Sequence, residues 1–163
     1  MATKTNAVRL VQQAGIPCRE AFYEFDEQDL SGVHAAQAIG MPEEQVFKTL
    51  VARGEKTGIN VFCIPVCCEL DLKKAAKAAG DKNMELVAVK ELLGLTGYIR
   101  GGCSPVGMKK HYPTFIDETC TLWDEIAVSA GARGHQMIVP PQPLADLVGA
   151  ELTDIIAVSY THL

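Results

Sequence analysis

The stretch Gly97-Tyr98-Ile99-Arg100-Gly101-Gly102-Cys103-Ser104-Pro105-Val106-Gly107 constrains this chain more than any other. Four glycines and a proline in eleven residues exclude a regular helix. Gly permits positive φ and close backbone approach, while Pro fixes its own φ and lacks an amide donor. Tyr98 and Ile99 open the run like a short strand, which predicts a loop leaving a strand inside the core. Such a loop is either a plain turn or a cradle of backbone N–H groups for an anion or a polarised carbonyl.

The elements around it follow from periodicity and punctuation. Ala7, Leu10, Val11 and Ala14 give residues 4–14 an amphipathic helical face that Gly15 ends, and residues 18–25 read as a strand containing Tyr23. After the acidic turn 26–29, Ser31 caps a short helix to Ile39, stopped by Gly40 and Pro42. Strands are predicted over 46–53 and 60–66 about a 54–58 turn. Asp71 caps the next helix, whose stripe is Leu72, Ala75, Ala76 and Ala79, with Gly80 as its stop. A short helix over 89–93 leads into the glycine loop. Strands near 114–116, 126–129 and 136–139 follow, with a Gly-rich turn over 130–134 and a last helix from Pro143. Hairpins mixed with helices predict one α+β domain over residues 1–158, and residues 159–163 fit no element and read as an unassigned tail, either a cloning or a sequence-assembly scar.

Composition excludes several classes of function. A content of 48% hydrophobic and 21% charged residues in 163 is that of a folded domain rather than a disordered chain. The net charge of -5 argues against coating nucleic acid, DNA included, by bulk charge, but leaves room for a local basic patch. No apolar leader follows Met1 and no apolar run is long enough to span a bilayer, so a cytoplasmic protein with reduced thiols is expected. Cys63, Cys67 and Cys68 have no common zinc-site spacing, and Val61 to Ile64 around the first reads as buried strand.

One residue is out of place. Alternation along the 46–53 strand puts Val46, Lys48, Leu50 and Ala52 on one face and Phe47, Thr49 and Val51 on the other. A Lys in an apolar run either snorkels from an edge strand or holds an anion as a compact point charge.

Val46-Phe47-Lys48-Thr49-Leu50, Thr96-Gly97-Tyr98 and Gly101-Gly102-Cys103-Ser104-Pro105-Val106-Gly107 resemble the YbaK family of freestanding aminoacyl-tRNA deacylases. These are related to the editing domain inserted in bacterial prolyl-tRNA synthetases. Further matching pieces are Tyr23-Glu24 with Asp26, Leu70 to Lys74, Pro113 to Asp117, and Val128 to Gly134, so the resemblance runs from about Ala7 to Ala150. It implies a mixed, barrel-like sheet with helices around it, and hydrolysis of mischarged aminoacyl-tRNA, notably Cys-tRNA(Pro). Lys48 matches the lysine the family needs to hold the tRNA 3′ end. Tyr23, Thr49, Gly101, Gly102, Ser129 and Gly131 match positions lining the pocket. Ser31, Ser104, Pro105, Ala130 and Arg133 complete the expected substrate-binding set, with Gly101 and Gly102 as oxyanion donors beside Lys48. Ser31 stands where relatives often carry an aromatic residue and Ala130 replaces a frequent glycine, both of which bear on amino-acid preference. No metal or organic cofactor is implied, and prolyl-tRNA synthetase is the candidate protein partner.

Cys103 in Gly-Gly-Cys-Ser is a conceivable nucleophile, but His34 and His111 are remote in sequence, and Ser104 before Pro105 reads as a turn residue. The expected nucleophile is therefore the substrate's own thiol. Competing readings are a deacylase for Ala-tRNA(Pro) or another small amino acid, and a non-catalytic tRNA- or synthetase-binding module. For tRNA, Lys109, Lys110 and Arg133 near the two Gly-rich loops form the expected patch, with Arg100 as a further cation and Lys73, Lys74 and Lys77 as the alternative face.

Overall fold

The computed structural model describes residues 4–158, so the 159–163 tail lies outside the described residues. Ser31 and Asp71 cap helices as predicted, and Thr5 is a further cap. Thr5 caps α1 (Asn6–Gln13) by accepting from the Val8 N–H, and Ser31 caps α2 (Gly32–Ile39) by accepting from His34 N–H. Asp71 caps α3 (Leu72–Ala79) by accepting from both Lys73 and Lys74 N–H, at 3.0 Å each. Each of these contacts satisfies donors that the helix itself leaves unpaired. The remaining helices are α4 (Val89–Thr96) and α5 (Pro141–Val148), the latter starting at Pro141 rather than Pro143. Proline fits there because the first helical position has no use for its missing N–H.

Among the described residues eight strands form two sheets. They are β1 (Arg19–Phe22), β2 (Phe47–Gly54), β3 (Gly58–Pro65), β4 (Glu85–Leu86), β5 (Thr114–Asp117), β6 (Ile126–Ala132), β7 (His135–Val139) and β8 (Glu151–Thr153). The smaller sheet has the order β1-β7-β6 and is antiparallel throughout. The larger has the order β4-β2-β3-β5-β8, in which β5 pairs in parallel with β3 and with β8. A single parallel bridge, Val46 to Ala127, joins the two. The expected α+β class with mixed sheets stands; the sheets join at that bridge, and among the described residues they do not close into a complete barrel.

Apolar side chains between these layers make one main core and three satellites. The main core packs Ala7, Val8 and Val11 of α1 and Leu144, Ala145 and Val148 of α5 onto Val128, Met137 and Val139. A second places Ala75 and Ala76 of α3 against Phe62, Ile64 and Phe115, with the two Phe rings stacked at 5.3 Å. A third seats Ala36 of α2 on Val46, Val66 and Ile138, and a fourth puts Leu92 and Leu95 of α4 over Val51, Val61 and Cys103. No helix among the described residues is long and apolar enough to cross a membrane.

Two local expectations are corrected. The glycine loop leaves a helix, not a strand: α4 runs on to Thr96, Gly97 closes it at φ +86°, and Tyr98 and Ile99 are irregular. The 130–134 turn is mostly strand, because β6 continues through a bulge between Ser129 and Ala132, leaving only Arg133 and Gly134 for the reversal.

Candidate active site

The two sheets, α2 and the start of α4 enclose a cavity of about 420 Å³. Its back wall is β2 from Phe47 to Val51. That wall is exposed because β4 covers the outer edge of β2 only at Ala52 and Arg53. Val46 C=O accepts from Val66 N–H on the β3 side at 2.8 Å, whereas Val51 C=O accepts from Val87 N–H on the outer side at 3.0 Å. Backbone alternation in an antiparallel strand then turns the N–H and C=O of Thr49 to that same outer edge, toward the cavity.

The other walls each depend on a local feature of the sequence. Ser31, Gly32 and Val33 bring the N-terminal end of α2 to the cavity. This approach needs glycine, since a Cβ on Gly32 would stand 2.2 Å from Val66 Cγ1. Arg100 and Gly101 arrive on a tight turn closed by Gly102 N–H donating to Ile99 C=O at 2.9 Å, and Gly101 takes φ +85° at the position where a type II turn requires it. Ser129 and Gln136 come from a cross-strand pair of β6 and β7, and Tyr23 from the end of β1.

Lys48 lines the cavity and is half-buried, with no ion pair to any described residue. Arg100 is the second cation in the lining, and no Asp or Glu contributes to it. A chain of net charge -5 thus keeps carboxylates out of this cavity lining. In such a setting a cation acts on an anionic guest with little internal competition.

The expected site residues separate into three groups. Tyr23, Ser31, Lys48, Thr49, Gly101 and Ser129 meet at the cavity. Gly102, Gly131 and Arg133 shape it from behind. The Gly102 N–H is committed to Ile99, which removes it as an oxyanion donor, and a Cβ there would press on Ala132 and Arg133 backbone at 3.1–3.3 Å. Gly131, at φ +100°, gives room to the Tyr98 ring and donates its N–H to Ser129 Oγ, leaving the Ser129 hydroxyl proton to point elsewhere. Arg133 Nε donates to Arg100 C=O at 2.9 Å, fastening the β6–β7 turn to the glycine turn.

Ser104, Pro105 and Ala130 do not reach the cavity. Ser104 is fully buried and its Oγ accepts from Val106 N–H, so it and Pro105 build the turn behind Cys103. Ala130 faces the main core, on the opposite side of β6 from Ser129. The expected tRNA patch is also divided. Lys110 lies with Leu10, His111 and Leu147 at a separate pocket, and the Lys109 side chain packs beside Gly97. Lys74 is tied to Asp154 and Ile156 C=O at 2.9 and 2.8 Å.

Two contributors were missed in the sequence. One is the backbone of Thr49. The other is Gln136, whose buried Oε1 has no partner and whose Nε2 makes no hydrogen bond to the described residues. Its signal was available: it pairs across the hairpin with Ser129, a residue already singled out.

The lining holds no histidine. Cys103 lies within it, but burial pushes its thiol up to about 11, with Thr96 pulling slightly the other way, so it is a neutral thiol at pH 7. Ser31 Oγ is engaged as a helix cap and Thr49 Oγ1 sits 3.7 Å from Cys63 Sγ. The arrangement offers cations, hydroxyls and backbone donors, without a nucleophile paired to a base.

Comparison with known proteins gives a consistent result. The family described as "Aminoacyl-tRNA editing domain" matches residues 30–147. An Enterococcus faecalis protein, EbsC, provisionally named a Cys-tRNA(Pro)/Cys-tRNA(Cys) deacylase, is 45% identical over 152 residues, covering 93% of each chain. An uncharacterised Bacillus subtilis protein, YwhH, is 24% identical over 123 residues, covering 76% of this chain and 78% of its own. Among solved structures, one described provisionally as a trans-editing enzyme for prolyl-tRNA synthetase superposes with a TM-score of 0.78 at 28% identity, over 96% of this chain and all of its own. A hypothetical protein with a TM-score of 0.82 and 21% identity, over 91% of this chain and 97% of its own, shares the fold.

Proposed function

Because this chain belongs to the aminoacyl-tRNA editing domain family, we propose that its cavity binds the 3′ end of a mischarged aminoacyl-tRNA and cleaves the aminoacyl ester, with Cys-tRNA(Pro) as the substrate. The observation that carries this reading is the carboxylate-free cavity with Lys48 in its wall. A volume of about 420 Å³ suits a terminal nucleoside with a small aminoacyl group, within the range of about 300–1,000 Å³ common to small-ligand pockets. The choice of cysteine follows the name of the Enterococcus faecalis relative and the chemistry of the lining.

The reaction then runs on what the substrate brings. Lys48 holds phosphate at the 3′ end as a point charge. The cysteinyl thiol, folded back by the cavity walls, attacks its own carbonyl carbon. Charge gathers on the carbonyl oxygen, near the Gly101 turn and the Thr49 edge, where fixed N–H donors lower the barrier. The intermediate collapses by breaking the bond to the ribose 3′ oxygen, which leaves with the proton the thiol has given up. The products are free tRNA and a cyclic thioester that water later opens. Intramolecular attack of this kind reaches effective molarities on the order of 10⁵–10⁸ M when well oriented, which replaces an enzyme nucleophile.

The test compares Cys-, Ala- and Ser-tRNA(Pro) with enzyme well below substrate. Cys-tRNA should be cleaved far faster than Ser-tRNA, whose hydroxyl is the poorer nucleophile. Cys103→Ala should remain active. Equal rates for the two substrates, or a folded and inactive Cys103→Ala, would refute substrate assistance. Repeated turnover separates an enzyme from a tRNA-binding module, and a rate that rises on adding prolyl-tRNA synthetase identifies that protein as a partner.

A further inference from the structure

Beyond β3 the chain carries a feature that the editing reaction leaves unused. Pro65, Val66, Cys67 and Cys68 form a turn closed by Cys68 N–H donating to Pro65 C=O at 3.0 Å. The turn brings the two consecutive Sγ atoms to 3.8 Å from each other. Cys67 is exposed and Cys68 half-buried, whereas Cys63, Cys103 and Cys120 are buried and Cys18 lies apart on β1's approach. Among the described residues this is the one place where two thiols stand side by side within reach of solvent.

The pair has no third partner. No cluster of three His, Cys, Asp or Glu side chains able to hold a metal ion occurs among the described residues, so a closed structural zinc site, which takes four ligands, does not fit here. Burial, and then the neighbouring Cys67, push the Cys68 thiol up to about 12. That disfavours disulfide exchange through Cys68, which proceeds from a thiolate. What suits two adjacent thiols is a soft centre that needs two sulfur ligands from the protein and carries its remaining ligand with it. The turn is also at the cavity: Val66 lines it, and the positive charge of Lys48 is felt at Cys68.

We propose that Cys67 and Cys68 form a two-thiol capture site for organic trivalent arsenicals, and that its occupation closes the adjoining cavity to aminoacyl-tRNA. The reaction balances without an oxidant. Two S–H bonds and the arsenic–oxygen double bond of an arsenoxide break, two As–S bonds form, one water leaves, and arsenic stays trivalent. The organic substituent on arsenic then stands at the lip of the cavity, across the approach to Lys48. The capture site is independent of the deacylase reading, while the closure rests on it.

The probe is phenylarsine oxide, read by intact mass and by deacylation. Wild-type protein should take up one equivalent, keep it through gel filtration in excess monothiol, and release it to 1,2-ethanedithiol. Cys67→Ser and Cys68→Ser should each abolish retention. Retention by the Cys67→Ser/Cys68→Ser double variant, or no uptake by wild type, overturns the site. Treated wild type should lose at least tenfold in deacylation, while the double variant keeps its rate with and without the reagent. Full activity of the fully labelled protein overturns the closure. Untreated wild type that cleaves no aminoacyl-tRNA counts against the deacylase reading alone, and the mass measurement still decides the capture site.

Discussion

Replacing Gln136 with Met should make this protein more stable and less active. Gln136 is 6% exposed, its Oε1 is sealed in without a hydrogen bond, and its amide lies in the cavity wall. A buried acceptor without a partner costs about 1–3 kcal/mol, and Met has nearly the same length with no polar atom to satisfy. Removing that penalty at constant shape should return a similar amount to the folded state. For a domain of this size, each kcal/mol moves Tm by about 2–4 °C, so a rise of at least 2 °C is expected. The opposite sign is expected for catalysis. The Gln136 Nε2 makes no bond to the described protein residues and is the part of the amide left for a substrate. Its loss removes a hydrogen bond worth about 1–1.5 kcal/mol, about a tenfold fall in kcat/KM. Thermal unfolding and single-turnover deacylation of the same preparation measure both. A lower Tm would mean that Oε1 is satisfied in the native protein. An unchanged rate would mean that the amide touches no substrate. Either result refutes the argument.

Other outcomes follow from the same geometry. Lys48→Ala should lower deacylation by about 10²–10³, the usual loss for one electrostatic contact in a site, with the fold intact by circular dichroism, and Lys48→Arg should also be impaired because a planar guanidinium does not replace a point ammonium. Gly101→Ala must hold φ +85° with its Cβ 3.3 Å from Leu30 Cβ, at a cost of about 1–2 kcal/mol, so both Tm and activity should fall. Asp81 gives a pH dependence: burial alone would raise its pKa, but hydrogen bonds from Thr57, Lys82 and Asn83 hold the carboxyl well below the usual carboxylate range. Its contribution is therefore fully present above the unfolded value, near 4, and is lost as pH falls below it toward the depressed folded value. Urea midpoints measured from pH 5 down to pH 2 should decline less steeply in Asp81→Asn than in wild type.

What could be read from the chain was whatever is written locally. The caps at Ser31 and Asp71 and the stops at Gly15, Gly40 and Gly80 each act within one helical turn, and with the apolar face of residues 4–14 they located α1, α2 and α3. Lys48 was visible because a charge in an apolar run contradicts its neighbours. The arrangement of sheets was hidden because β5 pairs in parallel with β3 and β8, contacts that no local pattern encodes. Gly102 was misread as a donor because Gly-Gly permits either of two residues to turn its N–H outward, and the turn to Ile99 settles which. Ala130 was placed in the pocket by the family resemblance, yet strand alternation sends it to the main core. Gln136 escaped notice because a glutamine in a strand looks like a surface residue until both sides of that strand prove to be covered.

The contact between Gly102 and the backbone of Ala132 and Arg133 has a consequence for how such a protein changes its diet. The glycine turn and the end of β6, which do not pair with each other, are kept at a fixed gap by the absence of a single methyl group, and the glycine turn forms the cavity wall at Gly101. A side chain at position 102 would wedge them apart and widen the chamber without altering any group that meets the guest. Selectivity among amino acids of different bulk is then adjustable from behind the wall, by hinge spacing rather than by chemistry.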